Sequence, residues 1–127
     1  PFDQLVHTAA AATIGLVPLK PISLNSFLGD TNKLHEYLMA GVPVVASGFP
    51  EVRRVVKQGD PAVGEIFGPE GRQSSAEAVK RILDDPRYGE RRIEARRLAL
   101  EEHNWEFESH HLVGLYREAI GAPRFRT

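Results

Sequence analysis

A chain of 127 residues suits one compact domain, which buries roughly two-thirds of the surface its unfolded form exposes. Its 16 basic and 17 acidic residues leave a net charge of −1, so no global field is available to hold nucleic acid or an anionic membrane. The absence of cysteine excludes a disulfide framework, thiolate metal sites and thiol nucleophiles, and suits a reducing cytoplasm.

Taken in order, the chain alternates helices and strands. A helix of about Asp3–Ala11 leads into a strand at Thr13–Val17, and the polar stretch Lys20–Gly29 reads as a loop. A helix at Thr31–Ala40 follows, then a strand at Pro43–Ser47, which completes a βαβ unit. Glu51–Gln58 reads as a short helix ended by Gly59-Asp60-Pro61, and Gly64–Phe67 as a third strand stopped by Gly68-Pro69. Ser74 with Glu77 has the form of a capping box, opening a helix whose apolar face is Ala76, Val79, Ile82 and Leu83 and which Pro86 closes. Helices at Tyr88–Glu102 and Trp105–Ile120 complete the chain, the last with Leu112, Tyr116 and Ala119 as its packing stripe. Strand–helix alternation with short connections implies a parallel sheet in an α/β layered fold, with the three strands adjacent. No apolar run approaches the ~20 residues of a membrane span, and no signal peptide is evident. The opening Pro1-Phe2, without an initiator methionine, reads as a processed chain or an excised fragment.

The densest local signal runs from Asn32 to Ser47. Leu34, Tyr37 and Leu38 share one helical face, Gly41 followed by Val42-Pro43 forces the helix to stop, and Val44-Val45-Ala46 has the character of a strand buried on both faces. Glu36 sits among these apolar neighbours. An acid beside a core face is costly unless paired, so Glu36 is either at the surface edge of the stripe or a ligand-binding group.

This run, Asn32-Lys33-Leu34-His35-Glu36-Tyr37 through Gly41-Val42-Pro43-Val44-Val45-Ala46-Ser47, resembles the signature of the family-4-type glycosyltransferases of the GT-B fold. Upstream, Leu5–Leu19 is similar to the family's helix and Gly-Leu-Val-Pro-Leu strand, with Thr13 where an aspartate is common. Downstream, Phe49–Val56, Gly64–Phe67, Arg81–Pro86 and Ala95–Trp105 look like the segments that follow in the same order, so nearly the whole chain is covered. The resemblance implies a three-layer Rossmann-like parallel sheet, the C-terminal half of a GT-B nucleotide-sugar-binding domain. It also implies that the first strands of that domain, the Arg and Lys that neutralise the donor diphosphate, and an N-terminal acceptor domain lie outside this chain. The edge at Thr13–Val17 is then expected to be unpaired and open to self-association.

Site roles follow from the same resemblance. Glu36 matches the glutamate that hydrogen-bonds the ribose of a nucleotide-sugar donor. Gly29-Asp30-Thr31-Asn32 enters the amino-terminus of the Lys33–Ala40 helix, where free amides and the helix dipole suit a pyrophosphate, and relatives use amides at the positions of Thr31 and Asn32. Gly29 is expected to permit close approach and an unusual backbone conformation. The paired glutamate of many relatives would fall at Leu28, which cannot accept a hydrogen bond, so the chain resembles the branch with Asn25-Ser26 upstream as sugar contacts. Lys33 faces phosphate in this reading. Ordinary capping by Asp30 or Thr31, a polar loop and an exposed lysine are the plain alternatives. No catalytic residue is assigned.

Other signals are weaker. Among five histidines, His110-His111 are adjacent and no metal-ligand spacing accompanies them, so neither a metal nor a cofactor other than the nucleotide-sugar substrate is expected. Arg87, Arg91, Arg92, Arg96 and Arg97 alternate with Glu90, Glu94, Glu101 and Glu102, with Glu94–Arg97 and Arg97–Glu101 at pairing distance, the pattern of a solvated face. Nucleic-acid binding lacks both surplus charge and interleaved aromatics, while peripheral membrane association of an intact enzyme stays open. The reading that results is the donor-binding part of a cytoplasmic nucleotide-sugar-dependent glycosyltransferase, inactive alone. The alternatives are another GT-B enzyme, such as a sugar-nucleotide epimerase, and a non-catalytic α/β interaction module.

Overall fold

A computed structural model describes residues 4–68 and 72–121. Its elements run α1 (Leu5–Ala9), β1 (Gly15–Val17), α2 (Leu24–Leu28), α3 (Asn32–Met39), β2 (Val44–Ser47), α4 (Pro50–Val56), β3 (Gly64–Phe67), α5 (Arg72–Leu83), α6 (Tyr88–Glu101) and α7 (Trp105–Gly121). The strands form a three-stranded parallel sheet in the order β1-β2-β3, with Val17 opposite Ala46 and Ser47 opposite Phe67. The expected α/β class, adjacency and parallel direction are all present. Asp3 and Pro69, which bounded two expected elements, lie outside the described residues.

Successive strand residues face opposite sides of a sheet. Val44 and Ala46 therefore join Val17, Leu34, Leu38, Val52, Val55 and Leu98 in a core under α3, α4 and α6, while Val45 turns to Ala78 and Ile82 of α5. Because both faces of β2 are covered, the uninterrupted apolar run Val44-Val45-Ala46 is buried throughout. β1 is less protected: Leu16, on the α5 side, remains 52% exposed, and among the described residues no strand pairs with the outer edge of β1.

The stop between α3 and β2 is a Schellman motif. Gly41 at φ +66° sends its N–H to Leu38 O, and Val42 sends its N–H to Tyr37 O, both at 2.9 Å. A Cβ at Gly41 would also lie 3.2 Å from the Arg92 carbonyl, so α6 packs where only hydrogen fits comfortably. At Gly15 an added Cβ would fall 2.4 Å from the Tyr37 ring, so glycine lets α3 lie close against β1.

Several expectations are corrected. The stretch read as a loop, Lys20–Gly29, contains α2, held at its start by a capping box in which Ser23 and Ser26 exchange backbone-to-hydroxyl bonds at 3.0 and 3.1 Å. A second serine takes the place of the usual Glu or Gln. Conversely, Ser74 is inside α5, and its Oγ accepts from Gly68 N–H at 3.0 Å, fastening β3's exit instead of capping with Glu77. Leu112, Tyr116 and Ala119 form no packing stripe, since α7 buries none of its residues. The arginines of α6 do more than face solvent. Glu94–Arg97 and Arg97–Glu101 pair as the spacing predicts, but Arg91 reaches Asp85 at 2.6 Å, Ala62 O at 2.7 Å and Glu65 at 3.4 Å. Arg92 donates to Ala10 O at the end of α1, and Arg96 to Met39 O at the end of α3. A cation at a helix carboxyl end offsets the unpaired carbonyls and the dipole there, so these charges tie α6 to its neighbours.

Candidate functional site

Parallel direction brings the carboxyl ends of all three strands to one edge, the place where open α/β sheets bind ligands. There a cleft of about 620 Å³ opens between the β1 exit (Pro18–Pro21), the β2 exit (Ser47–Phe49) and the β3 exit (Phe67, Gly68), with Phe27 of α2 and Arg53 of α4 on its walls. Ser47 is the one buried polar side chain among the described residues. Its Oγ accepts from Leu19 N–H at 2.8 Å and donates to Leu19 O at 3.0 Å, pinning the β1 exit loop across the end of β2. Phe27 and Phe49 meet with ring centroids 5.5 Å apart and planes tilted by 49°, an aromatic wall joining α2 to α4.

Two cations line this cleft, Lys20 and Arg53, and neither has an ion-pair partner among the described residues. The other bases nearby are engaged: Arg54 pairs with Glu51 and Lys57 with Glu65. Backbone donors at the rim are mostly engaged too. Leu19 N–H goes to Ser47 Oγ, Gly48 N–H to Phe67 O and Gly68 N–H to Ser74 Oγ. Side-chain cations are thus the main anion-binding groups of the cleft.

None of the candidate residues read from the sequence lines the cleft itself; they gather beside it, at the α2–α3 turn. Thr31 caps α3, its Oγ1 3.4 Å from Leu34 N, and the amides of Asn32 and Lys33 find no acceptor among the described residues. Glu36 follows one turn later, half-buried, with no hydrogen bond or ion pair from its side chain among the described residues. Lys33 is exposed. Gly29 caps the end of α2 in an ordinary extended conformation, φ −89°, which corrects the expectation of an unusual backbone. Its small size still matters, because a Cβ would lie 2.9 Å from Asn25 O. Asn25 and Ser26 lie in α2, and the Ser26 hydroxyl is engaged, donating to Ser23 O and accepting from Ser23 N–H. Asp30 does not cap α3; it lies 2.5 Å from His35 Nε2.

Sequence reasoning passed over Lys20, Arg53, Phe27, Phe49 and Phe67. Lys20 follows three residues after a strand end, the one signal that pointed to it. No group of His, Asp and Glu among the described residues is arranged to hold a metal ion, and no described helix is long and apolar enough to cross a membrane. Comparison with protein-family models, with curated proteins and with solved structures gives no match to this chain.

Proposed function

We propose that this chain is the donor-binding part of a nucleotide-sugar-dependent glycosyltransferase, the C-terminal half of a GT-B domain whose acceptor is held by a separate domain. The observation that carries the reading is the cleft at the carboxyl edge of the parallel sheet, lined by Lys20 and Arg53 together with Phe27 and Phe49, beside the α2–α3 turn that leads one helical turn later to Glu36. A diphosphate suits the two cations, a base or sugar face suits Phe27 and Phe49, and a ribose suits a carboxylate with no protein partner. Catalysis by such a part consists of positioning the anomeric carbon and stabilising the departing diphosphate.

Calorimetry with a panel of UDP, GDP and ADP sugars tests it. Saturable binding of at least one sugar nucleotide, displaced by the matching nucleoside diphosphate, is the expected result. Failure of the whole panel against the chain joined to an acceptor domain would refute the proposal. A second reading, an α/β interaction module, is favoured by α7, whose Trp105, Leu115, Tyr116 and Ile120 are all more than half exposed.

A further inference from the structure

Beyond the α2–α3 turn, two imidazoles that do not line the cleft meet where α3, α4 and the α6–α7 elbow converge. His35 of α3 has Nε2 2.5 Å from Asp30 Oδ2, and its ring centroid lies 5.4 Å from that of His103, the planes tilted by 49°. His103 sits in the elbow, where its N–H donates to Leu98 O at 2.9 Å. Its Nε2 lies 2.5 Å from Gln58 Oε1, just beyond α4. Asn104 completes the elbow by spanning both helices: Nδ2 donates to Leu100 O at 2.7 Å, and Oδ1 accepts from Phe107 N–H at 2.8 Å. Since α7 buries no residue, this elbow carries much of what sets its direction.

The two rings differ in their countercharges. The carboxylate of Asp30 is hydrogen-bonded to His35, whereas His103 faces the neutral amide of Gln58. The other charged groups around them are Arg54 and Glu51 of α4, which pair with each other, Glu102 beside His103, and Glu108 of α7, which faces Arg54. A proton on His103 therefore adds a cation next to His35 and Arg54 with no hydrogen-bonded anion to receive it.

We propose that His35 and His103 form a proton-operated latch between the start of α3 and the α6–α7 elbow, closed while His103 is neutral and released when His103 takes a proton beside His35. Burial first, then His35 and Arg54, hold the His103 imidazole below its ordinary value, against the opposing pull of Glu102 and Asp30. For a base depressed in the folded state, the stabilisation is fully present above the unfolded value of about 6.5 and is lost as pH falls through it toward the native value. Release loosens the elbow and frees α7 to swing. The turn at Asp30 loosens with it.

The test is amide hydrogen exchange by NMR on the full chain between pH 7.5 and 5, corrected for intrinsic rates, with the histidine ring resonances followed in parallel. Protection of the His103, Phe107 and Glu108 amides, and of the Leu34 amide that is bonded to Thr31 O, should fall about tenfold or more as His103 titrates, while Leu38 and Val44 in the core keep theirs. His103→Gln should retain the fold and abolish this pH dependence; His35→Gln, which keeps a partner for Asp30 but carries no charge, should weaken it. Protection that is flat with pH, that falls equally in the core, or that titrates unchanged in both variants would overturn the latch.

Discussion

Ser47→Ala is the sharpest probe of how the cleft is built. The hydroxyl makes two bonds to one residue, accepting Leu19 N–H at 2.8 Å and donating to Leu19 O at 3.0 Å, from a position only 6% exposed. A hydrogen bond of this kind contributes a net ~0.5–1.5 kcal/mol, and a deletion that strands both backbone groups of Leu19 costs at least as much for each. Leu19 is half-buried, so water reaches part of the gap, and the expected loss is about 1–2 kcal/mol. With a urea slope near ~2 kcal/mol/M, the unfolding midpoint should drop by about 0.5–1 M at unchanged slope. Urea titration followed by circular dichroism measures that, and hydrogen exchange at the Leu19 amide supplies a local readout, because the β1 exit loop should open before the core does. A loss below about 0.3 kcal/mol with the Leu19 amide still protected would mean that the loop is held by packing alone, and the argument for a pinned cleft wall would fail.

Three further outcomes are expected. Arg53→Gln and Lys20→Gln should each weaken pyrophosphate binding by roughly tenfold and flatten its salt dependence, as read by calorimetry at two ionic strengths; equal affinity in both variants would remove these cations from the site. Glu36→Gln should reduce the affinity of a bound sugar nucleotide by about 1.5–3 kcal/mol without changing the circular dichroism spectrum, and an unchanged dissociation constant would exclude a ribose contact. Gly41→Ala places a side chain at φ +66° and 3.2 Å from the Arg92 carbonyl, so thermal or urea unfolding should show at least ~1–2 kcal/mol of destabilisation; a neutral result would mean the Schellman turn relaxes at little cost.

The segment from Asn32 to Ser47 was legible because each of its signals is local. The i, i+3, i+4 spacing of Leu34, Tyr37 and Leu38 needs only the helix period, Gly41 needs only its own backbone freedom, and the Val44–Ser47 strand needs only an apolar run between breakers. The same is true of β3, whose bounds Gly64–Phe67 match the reading from residues. Where tertiary contacts choose between local options, residue patterns were silent or misleading. Ser74 serves β3's exit instead of capping α5, α2 forms within a polar stretch through a serine–serine box, and α7 carries an apolar stripe that meets no core. Arg91, Arg92 and Arg96 look like a solvated face in one dimension, yet reach carbonyls and carboxylates on other elements. The cleft shows the limit most clearly. Lys20, Phe27, Phe49, Arg53 and Phe67 share no spacing along the chain, and it is the register of three parallel strands that carries their separate exits to one edge. Local periodicity follows from covalent geometry, whereas the company a side chain keeps across the sheet is decided only when the strands pair.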